Sequence, residues 1–299
     1  MKLAIIGGGA VGLLAAFYLG REHDVTVVTR TAQQRDLLRK NGVCLMKEGQ
    51  EEGVRLVKAA AFFEKHEYLK HDLWVVALKQ TMLPAFFKEW RHCAKLPDML
   101  FVQNGIGHLE EAKKYFRASA ILGGVITHGA MKVDGNVVLH RGQGALTVGA
   151  LGSRSDLICR LLSEDSQFPV READDLERLL KRKLLTNLVV NPLTALYGER
   201  NGELLKRESW RENAYQLFLE GAAALDLGRD EWEQVVRVME ATAGNESSML
   251  QDIKRGKETE VDAITGYLLK QGAKNGVDMP LTAFVHRSIA GLERRGENG

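Results

Sequence analysis

"KLAIIGGGAVGLLAAFYLG", residues 2–20, decides the fold. A short apolar, partly β-branched run turns through three consecutive glycines and continues as an apolar helix. Gly7, Gly9 and Gly12 fit the pattern GxGxxG, in which glycine serves a tight turn, a close backbone approach to a pyrophosphate, and tight helix–strand packing. The free N–H groups at the following helix start suit an anion, so Gly7, Gly8, Gly9, Ala10, Val11 and Gly12 are read as a dinucleotide-binding loop. Residues 3–20 carry no charge and imitate a signal peptide or a membrane span. Consecutive glycines break an uninterrupted apolar helix, so the reading is a non-exported, cytoplasmic protein.

Outward from this motif, "DVTVVTR" at 24–30 supplies a second strand. NAD-binding folds usually present an acidic residue to the ribose at its end, and NADP-binding ones a cation to the 2′-phosphate. Thr29 and Arg30 occupy that end, with Arg35 a turn further on, which favours NADPH over NADH. Further strands are predicted at 73–78, 99–104 and 119–127, in alternation with helices, which builds a parallel sheet. Lys79 and Gln80 close the first of these, and Gln103, Asn104 and Gly105 the second, all on the cofactor side. "DGN" at 134–136 reads as a hairpin turn and "ALTVG" at 145–149 as another strand, giving antiparallel edge pieces.

Near residue 171 the β-branched runs give way to leucine-rich helical periodicity, with 166–175 as the connection. Two domains follow, an α/β Rossmann-type domain over 1–170 and an all-α domain over 171–299, as a chain of 299 residues would predict. Helices are expected over 174–198, 208–228, 230–243, 247–255, 258–275 and 280–295. The first contains "KLLTNLVVNPLTA", 183–195, which sets Lys183, Asn187 and Asn191 at steps of four on one face of an apolar helix. Buried polar groups cost free energy unless partnered, so the stripe belongs either to a domain seam or to a ligand site. Pro192 is expected to kink or break this helix beside Asn191. In "NESSMLQDI", Asn245 can cap a helix carrying Ser247 and Ser248 in its first turn, and Glu260 opens a later helix.

With Lys+Arg 41 against Asp+Glu 39 and no basic stripe, neither nucleic acid nor an anionic membrane is the expected partner. Three cysteines without a CxxC pair and eight dispersed histidines predict no metal and a reducing compartment. The expected partner is a small molecule. The sequence leaves oligomeric state open, a homodimer included.

Collectively, "GGGAVG", "LK" at 78–79, "QNGIG" at 103–107, "KLLTNLVVNPLTA", "NGEL" at 201–204, "NESSMLQD" and "TEVDAITGYLL" at 259–269 resemble the ketopantoate reductases, over nearly the whole chain. The resemblance implies a Rossmann-type domain followed by a helical domain like that of 6-phosphogluconate dehydrogenase, with NADPH and substrate in the cleft between them. It implies that Lys183 is the catalytic general acid and that Glu260 lies between cofactor, lysine and substrate. Cofactor contacts would come from the glycine loop, Arg30, Lys79, Asn104, Ala130 and Glu260. Substrate contacts would come from Asn104, Lys183, Asn187, Asn191, Asn201, Asn245 and Ser248. The implied reaction is NADPH-dependent reduction of 2-dehydropantoate to (R)-pantoate, in pantothenate and coenzyme A synthesis. Two alternatives stay open at this point: a hydroxyacid dehydrogenase acting on another branched substrate, and an NADPH-binding sensor without turnover.

Overall fold

A computed structural model describes residues 1–117, 119–150 and 156–296, with side chains to 293. The chain forms two compact units: Met1–Gln103 with His108–Glu177, and Asn104–Gly107 with the chain from Arg178 onward.

In the first unit, strands β1 (Lys2–Ile6), β2 (Asp24–Thr29), β3 (Val43–Lys47), β4 (Gln50–Arg55), β5 (Lys58–Ala61), β6 (Leu73–Val76), β7 (Asp98–Phe101), β8 (Ile121–Ile126), β9 (Gly129–Lys132), β10 (Val137–Gly142), β11 (Leu146–Ala150) and β12 (Val170–Glu172) form two sheets. The large sheet runs β12-β11-β8-β7-β6-β1-β2-β5. From β5 to β8 every pairing is parallel; β11 then turns antiparallel to β8. This is the Rossmann-type order, with its reversal between β1 and β6, where ligands of open α/β sheets bind at the strands' carboxyl ends. The buried runs Leu3–Ile6 and Leu73–Val76 are apolar throughout because both faces of the sheet are covered.

The second sheet, β4-β3-β10-β9, departs from the expectation of simple antiparallel edge pieces. The turn at 134–136 does join two antiparallel strands, β9 and β10, but that hairpin pairs with β3 rather than extending the main sheet. The glycine-loop helix α1 (Ala10–Leu19) lies against β1 and β2 on one side and against β3, β9 and β10 on the other. That double cover explains the uncharged segment 3–20. Residues Gly12–Leu19 are all buried, and a helix buried all round is apolar all round. No described helix is long and apolar enough to cross a membrane.

The first unit also carries α2 (Ala32–Asn41), α3 (Leu83–Trp90), α4 (Gly107–Tyr115) and α5 (Asp156–Leu161), and the long helix α6 (Leu176–Tyr197) begins there. The second unit adds α7 (Glu203–Lys206), α8 (Glu208–Leu225), α9 (Glu231–Ala241), α10 (Ser248–Lys254), α11 (Tyr267–Asn275) and α12 (Pro280–Gly296). Arg178 and Arg182 of α6 hold the buried Glu231 at 3.1 and 2.7 Å, fixing α9 against it. The helix expected over 258–275 is divided: Asp262–Gly266 is a π-helical turn leading into α11. Such turns insert an extra residue and re-aim the side chains around them.

Pro192 does not break α6, which runs unbroken from Leu176 to Tyr197. The Thr194 hydroxyl, one turn on, lies 2.7 Å from Val190 O, 3.0 Å from Asn191 O and 2.7 Å from Ser247 Oγ, which ties this part of α6 to the start of α10. Ser247, rather than Asn245, caps α10, its hydroxyl accepting from Leu250 N–H at 3.1 Å.

Candidate functional site

The residues singled out in the sequence fall into two groups, one in each unit. In the first unit the loop after β1 is shaped by contacts that only glycine permits. Gly7 adopts φ +122°, and a Cβ there would lie 2.8 Å from Ala77 O, at the end of the neighbouring β6. A Cβ on Gly12 would sit 1.9 Å from Gly7 O, so the helix start can tuck under the turn only without a side chain. At Gly9 an added Cβ would meet nothing within 4 Å. The glycines therefore do different work: two admit close packing of the chain, while the third leaves open space over the start of α1. That combination fits a pyrophosphate cradle at a helix N-terminus.

Around the loop, Gln34 of α2 donates from Nε2 to Gly8 O at 2.8 Å and to Gly135 O at 2.7 Å. Lys132 of β9 donates to Gly8 O at 3.0 Å. Neither was singled out in the sequence, because both act through backbone carbonyls that fold topology brings near. Of the two arginines after β2, Arg35 is taken by Asp36 and Glu64 at 2.8 and 2.6 Å, while Arg30 is exposed and forms no ion pair among the described residues. Lys79 is exposed directly after the β6 end. Ala130 lies on β9 opposite His140, two residues before Lys132.

In the second unit α6 carries the polar stripe. Leu184, Leu185, Leu188, Val189, Val190 and Leu193 of this helix are buried, whereas Lys183 and Asn187 are half-buried and Asn191 is 7 % exposed. Burial lowers the Lys183 ammonium from its ordinary range to about 8, while the Glu260 carboxylate opposes that shift. Glu260 Oε2 accepts from Asn104 Nδ2 at 2.8 Å, so three predicted residues, Asn104, Lys183 and Glu260, come together in one unit. The segment Asn104–Gly107 folds with the helical unit, and a Cβ at Gly107 would press on the Tyr267 ring at 2.9 Å.

Asn201 and Asn245 are joined through the backbone, Asn201 N–H donating to Asn245 O at 3.0 Å. The Asn201 side chain donates to Thr242 Oγ1 at 3.0 Å and leaves its buried Oδ1 without a partner. An orphaned buried acceptor is uncommon and suits a hydroxyl-bearing ligand. Asn245 and Ser248 are exposed, whereas Ser247 is turned inward to Thr194. Among the described residues no group of His, Cys, Asp and Glu is placed to hold a metal ion. A surface cavity of about 460 Å³, lined by Lys2, Asp24, Lys58 and His71 among others, opens at the amino ends of the strands, away from the glycine loop.

Removing the Glu260 charge tests the electrostatic part of this arrangement. In Glu260→Gln the opposing influence on Lys183 disappears while an acceptor for Asn104 is retained. The alkaline limb of the kcat/KM profile, measured from pH 6 to 10, is expected to move down by about one unit. An unmoved limb would mean that the carboxylate does not influence the lysine.

Comparison with known proteins agrees in extent with this layout. Residues 3–153 match the family model described as Ketopantoate reductase PanE/ApbA, and residues 175–293 match its C-terminal counterpart. A 2-dehydropantoate 2-reductase from Bacillus subtilis (strain 168) is 38 % identical over 298 residues, 98 % of either chain. The crystal structure of a probable 2-dehydropantoate 2-reductase from Bacillus subtilis has 37 % identity and a TM-score of 0.88, covering 98 % of this chain and 100 % of that one. The ternary structure of a D-mandelate dehydrogenase with NADH and anilino(oxo)acetate superposes with a TM-score of 0.87 over 99 % of each chain. At 22 % identity that last likeness is one of fold alone.

Proposed function

The chain belongs to the ketopantoate reductase family, and from that premise we propose that it reduces 2-dehydropantoate to (R)-pantoate with NADPH, supplying pantothenate and coenzyme A synthesis. As a family member it is an oxidoreductase acting on a CH–OH group with a nicotinamide cofactor. The finer reading, of substrate, cofactor and residue roles, is carried by one observation: Lys183 is half-buried on the polar face of α6 among buried leucines and valines, in the unit where Asn104 donates to Glu260 at 2.8 Å, and its ammonium is lowered to about 8.

In this reading the glycine loop from Gly7 to Gly12 holds the pyrophosphate, with Lys79, Asn104, Ala130 and Glu260 as further cofactor contacts and Arg30 on the 2′-phosphate. The nicotinamide, when bound, supplies the hydride for the C2 carbonyl. Negative charge then develops on the carbonyl oxygen, and the Lys183 ammonium donates its proton to that oxygen. The C2 oxygen becomes the alcohol, and Lys183 is left as a neutral amine that regains a proton from solvent. A pKa near neutrality suits this exchange better than the ordinary lysine value of about 10.4. Asn187 and Asn191 orient substrate oxygens without introducing a competing acid. Asn201, Asn245 and Ser248 hold the remainder of the substrate, with Asn201 Oδ1 available to a hydroxyl.

The direct test is steady-state kinetics with ketopantoate, comparing NADPH with NADH, followed by a panel of 2-oxo acids. Preference for ketopantoate and for NADPH is expected. A clear preference for a 2-oxo acid lacking the 4-hydroxyl would refute the substrate assignment, and equal use of the two nucleotides would refute the cofactor assignment.

A further inference from the structure

We propose that Lys132 is a second cation for the cofactor's 2′-phosphate, pre-positioned over the glycine loop by its hydrogen bond to Gly8 O; this rests on the NADPH reading above. The inference begins with the topology of the small sheet. Strand β9 ends at Lys132, and its ammonium meets the carbonyl of Gly8 at 3.0 Å. An ammonium has three N–H donors, so one is used on Gly8 and two remain for an anion.

The place of this amine argues for the ribose phosphate rather than the pyrophosphate. Gly7 N–H bonds to Val28 O at 2.9 Å, setting the loop alongside the end of β2, the strand whose end reads the ribose in this fold. Gln34, on the helix that follows β2, reaches both Gly8 O and Gly135 O, thereby tying the β9–β10 turn to the same spot. Arg30 stands at that strand end without an ion pair. The charge of Arg30 is felt at Lys132, whose pKa is lowered by burial first, with Asp134 opposing and Arg30 adding to the shift. Asp134, the acidic side chain closest in sequence, accepts instead from Gly135 N–H at 2.6 Å and makes no ion pair with Lys132. The Asp134 carboxylate thus balances the Arg30 charge at Lys132 without pairing with it, which leaves the remaining ammonium donors for a dianionic phosphate that both cations attract.

The experiment separates a phosphate contact from a merely structural strap. Binding of 2′,5′-ADP and of 5′-AMP to the full-length protein is measured by calorimetry for the wild type, Lys132→Gln, Lys132→Arg and Arg30→Ala. Lys132→Gln is expected to weaken 2′,5′-ADP about tenfold while leaving 5′-AMP within twofold, and Lys132→Arg to restore most of the loss. Equal weakening of both nucleotides, or none of either, would overturn the proposal, since a strap on Gly8 serves both alike. If the wild type itself does not prefer 2′,5′-ADP, the NADPH reading falls and this proposal with it. If Arg30→Ala abolishes the preference and Lys132→Gln leaves it intact, the NADPH reading survives and only the role of Lys132 is lost. Thermal melts of each variant exclude misfolding as the cause.

Discussion

Replacing Lys183 by alanine is expected to lower kcat for ketopantoate reduction by about 10²- to 10⁴-fold, the range for loss of a positioned general acid. Cofactor binding, followed by NADPH fluorescence, is expected to persist, because the glycine loop and its supports lie in the other unit. The prediction has a sign in pH as well. Lys183 must be protonated to act as an acid, and its pKa is lowered to about 8, so wild-type kcat/KM should hold below pH 8 and decline above it. In Lys183→Ala that decline should vanish along with the rate. A variant retaining wild-type turnover would show that another group protonates the substrate; a protein that binds NADPH but turns over no 2-oxo acid in its wild-type form would instead be a sensor.

The second large effect concerns stability in mild acid. Burial pushes His108 down to about 3 and His128 to about 4, and it also lowers His140. The geometry shows why these rings resist a proton. Gly144 N–H donates to His128 Nδ1 at 3.0 Å, so that nitrogen is an acceptor. His140 Nε2, also 3.0 Å from His128 Nδ1, must then donate, and His140 Nδ1 accepts from the Tyr18 hydroxyl at 3.0 Å. The orientation of the whole chain is thereby fixed. A proton added at His128 Nδ1 would face two donors, while its Nε2 is already buried without a partner. At His108, Nδ1 is engaged by Gln80 at 2.9 Å and Nε2 is likewise buried and unpartnered.

Because the folded pKa values lie below the unfolded value of about 6.5, the unfolded chain binds more protons than the folded one at any pH between them. Stability is therefore complete above pH 6.5 and falls as the pH drops toward 4. With a slope that approaches about 1.4 kcal/mol per pH unit for each ring and is half that at pH 6.5, His108 and His128 together cost roughly 3 kcal/mol between pH 6.5 and 5. Total stabilities of about 5–15 kcal/mol make that a large share. Urea midpoints measured across this interval, above the carboxylate range, should drop steeply for the wild type and less for His128→Asn. A flat wild-type curve would mean that these rings are protonated, or hydrated, in the native state.

Much of this architecture is legible in the letters. Glycine spacing in 7–12 and the apolar strand before it announce a dinucleotide fold, because tight turns and close backbone approach are local demands that only glycine meets. The stripe of Lys183, Asn187 and Asn191 is equally readable, since helical periodicity is a property of consecutive residues. Five of the six expected helices, α6, α8, α9, α10 and α12, fall within a few residues of their expected bounds for the same reason, whereas 258–275 is divided and the short α7 lies outside the expected set. The expectations that failed concern partners distant in sequence. Pro192 is a helix breaker by rule, yet α6 continues to Tyr197, its turns on either side of the proline packed through the buried Leu188, Val189, Val190 and Leu193. The cap of α10 moved from Asn245 to Ser247 because the inward-facing hydroxyl also meets Thr194.

By itself, the sequence determined the two-part organisation of helix and strand, the glycine loop, and the residue types on the polar face of α6, all of which follow from spacing along one element. Tertiary structure alone decided that β3, β4, β9 and β10 form a second sheet over α1, that Asn104 reaches Glu260, and that Lys132 and Gln34 converge on Gly8. It likewise decided that Arg35 is spent on Glu64 while Arg30 is not. The physical reason is that periodicity and backbone preference act over a few residues, whereas hydrogen bonds and desolvation depend on which segments the fold brings within a few ångströms of each other.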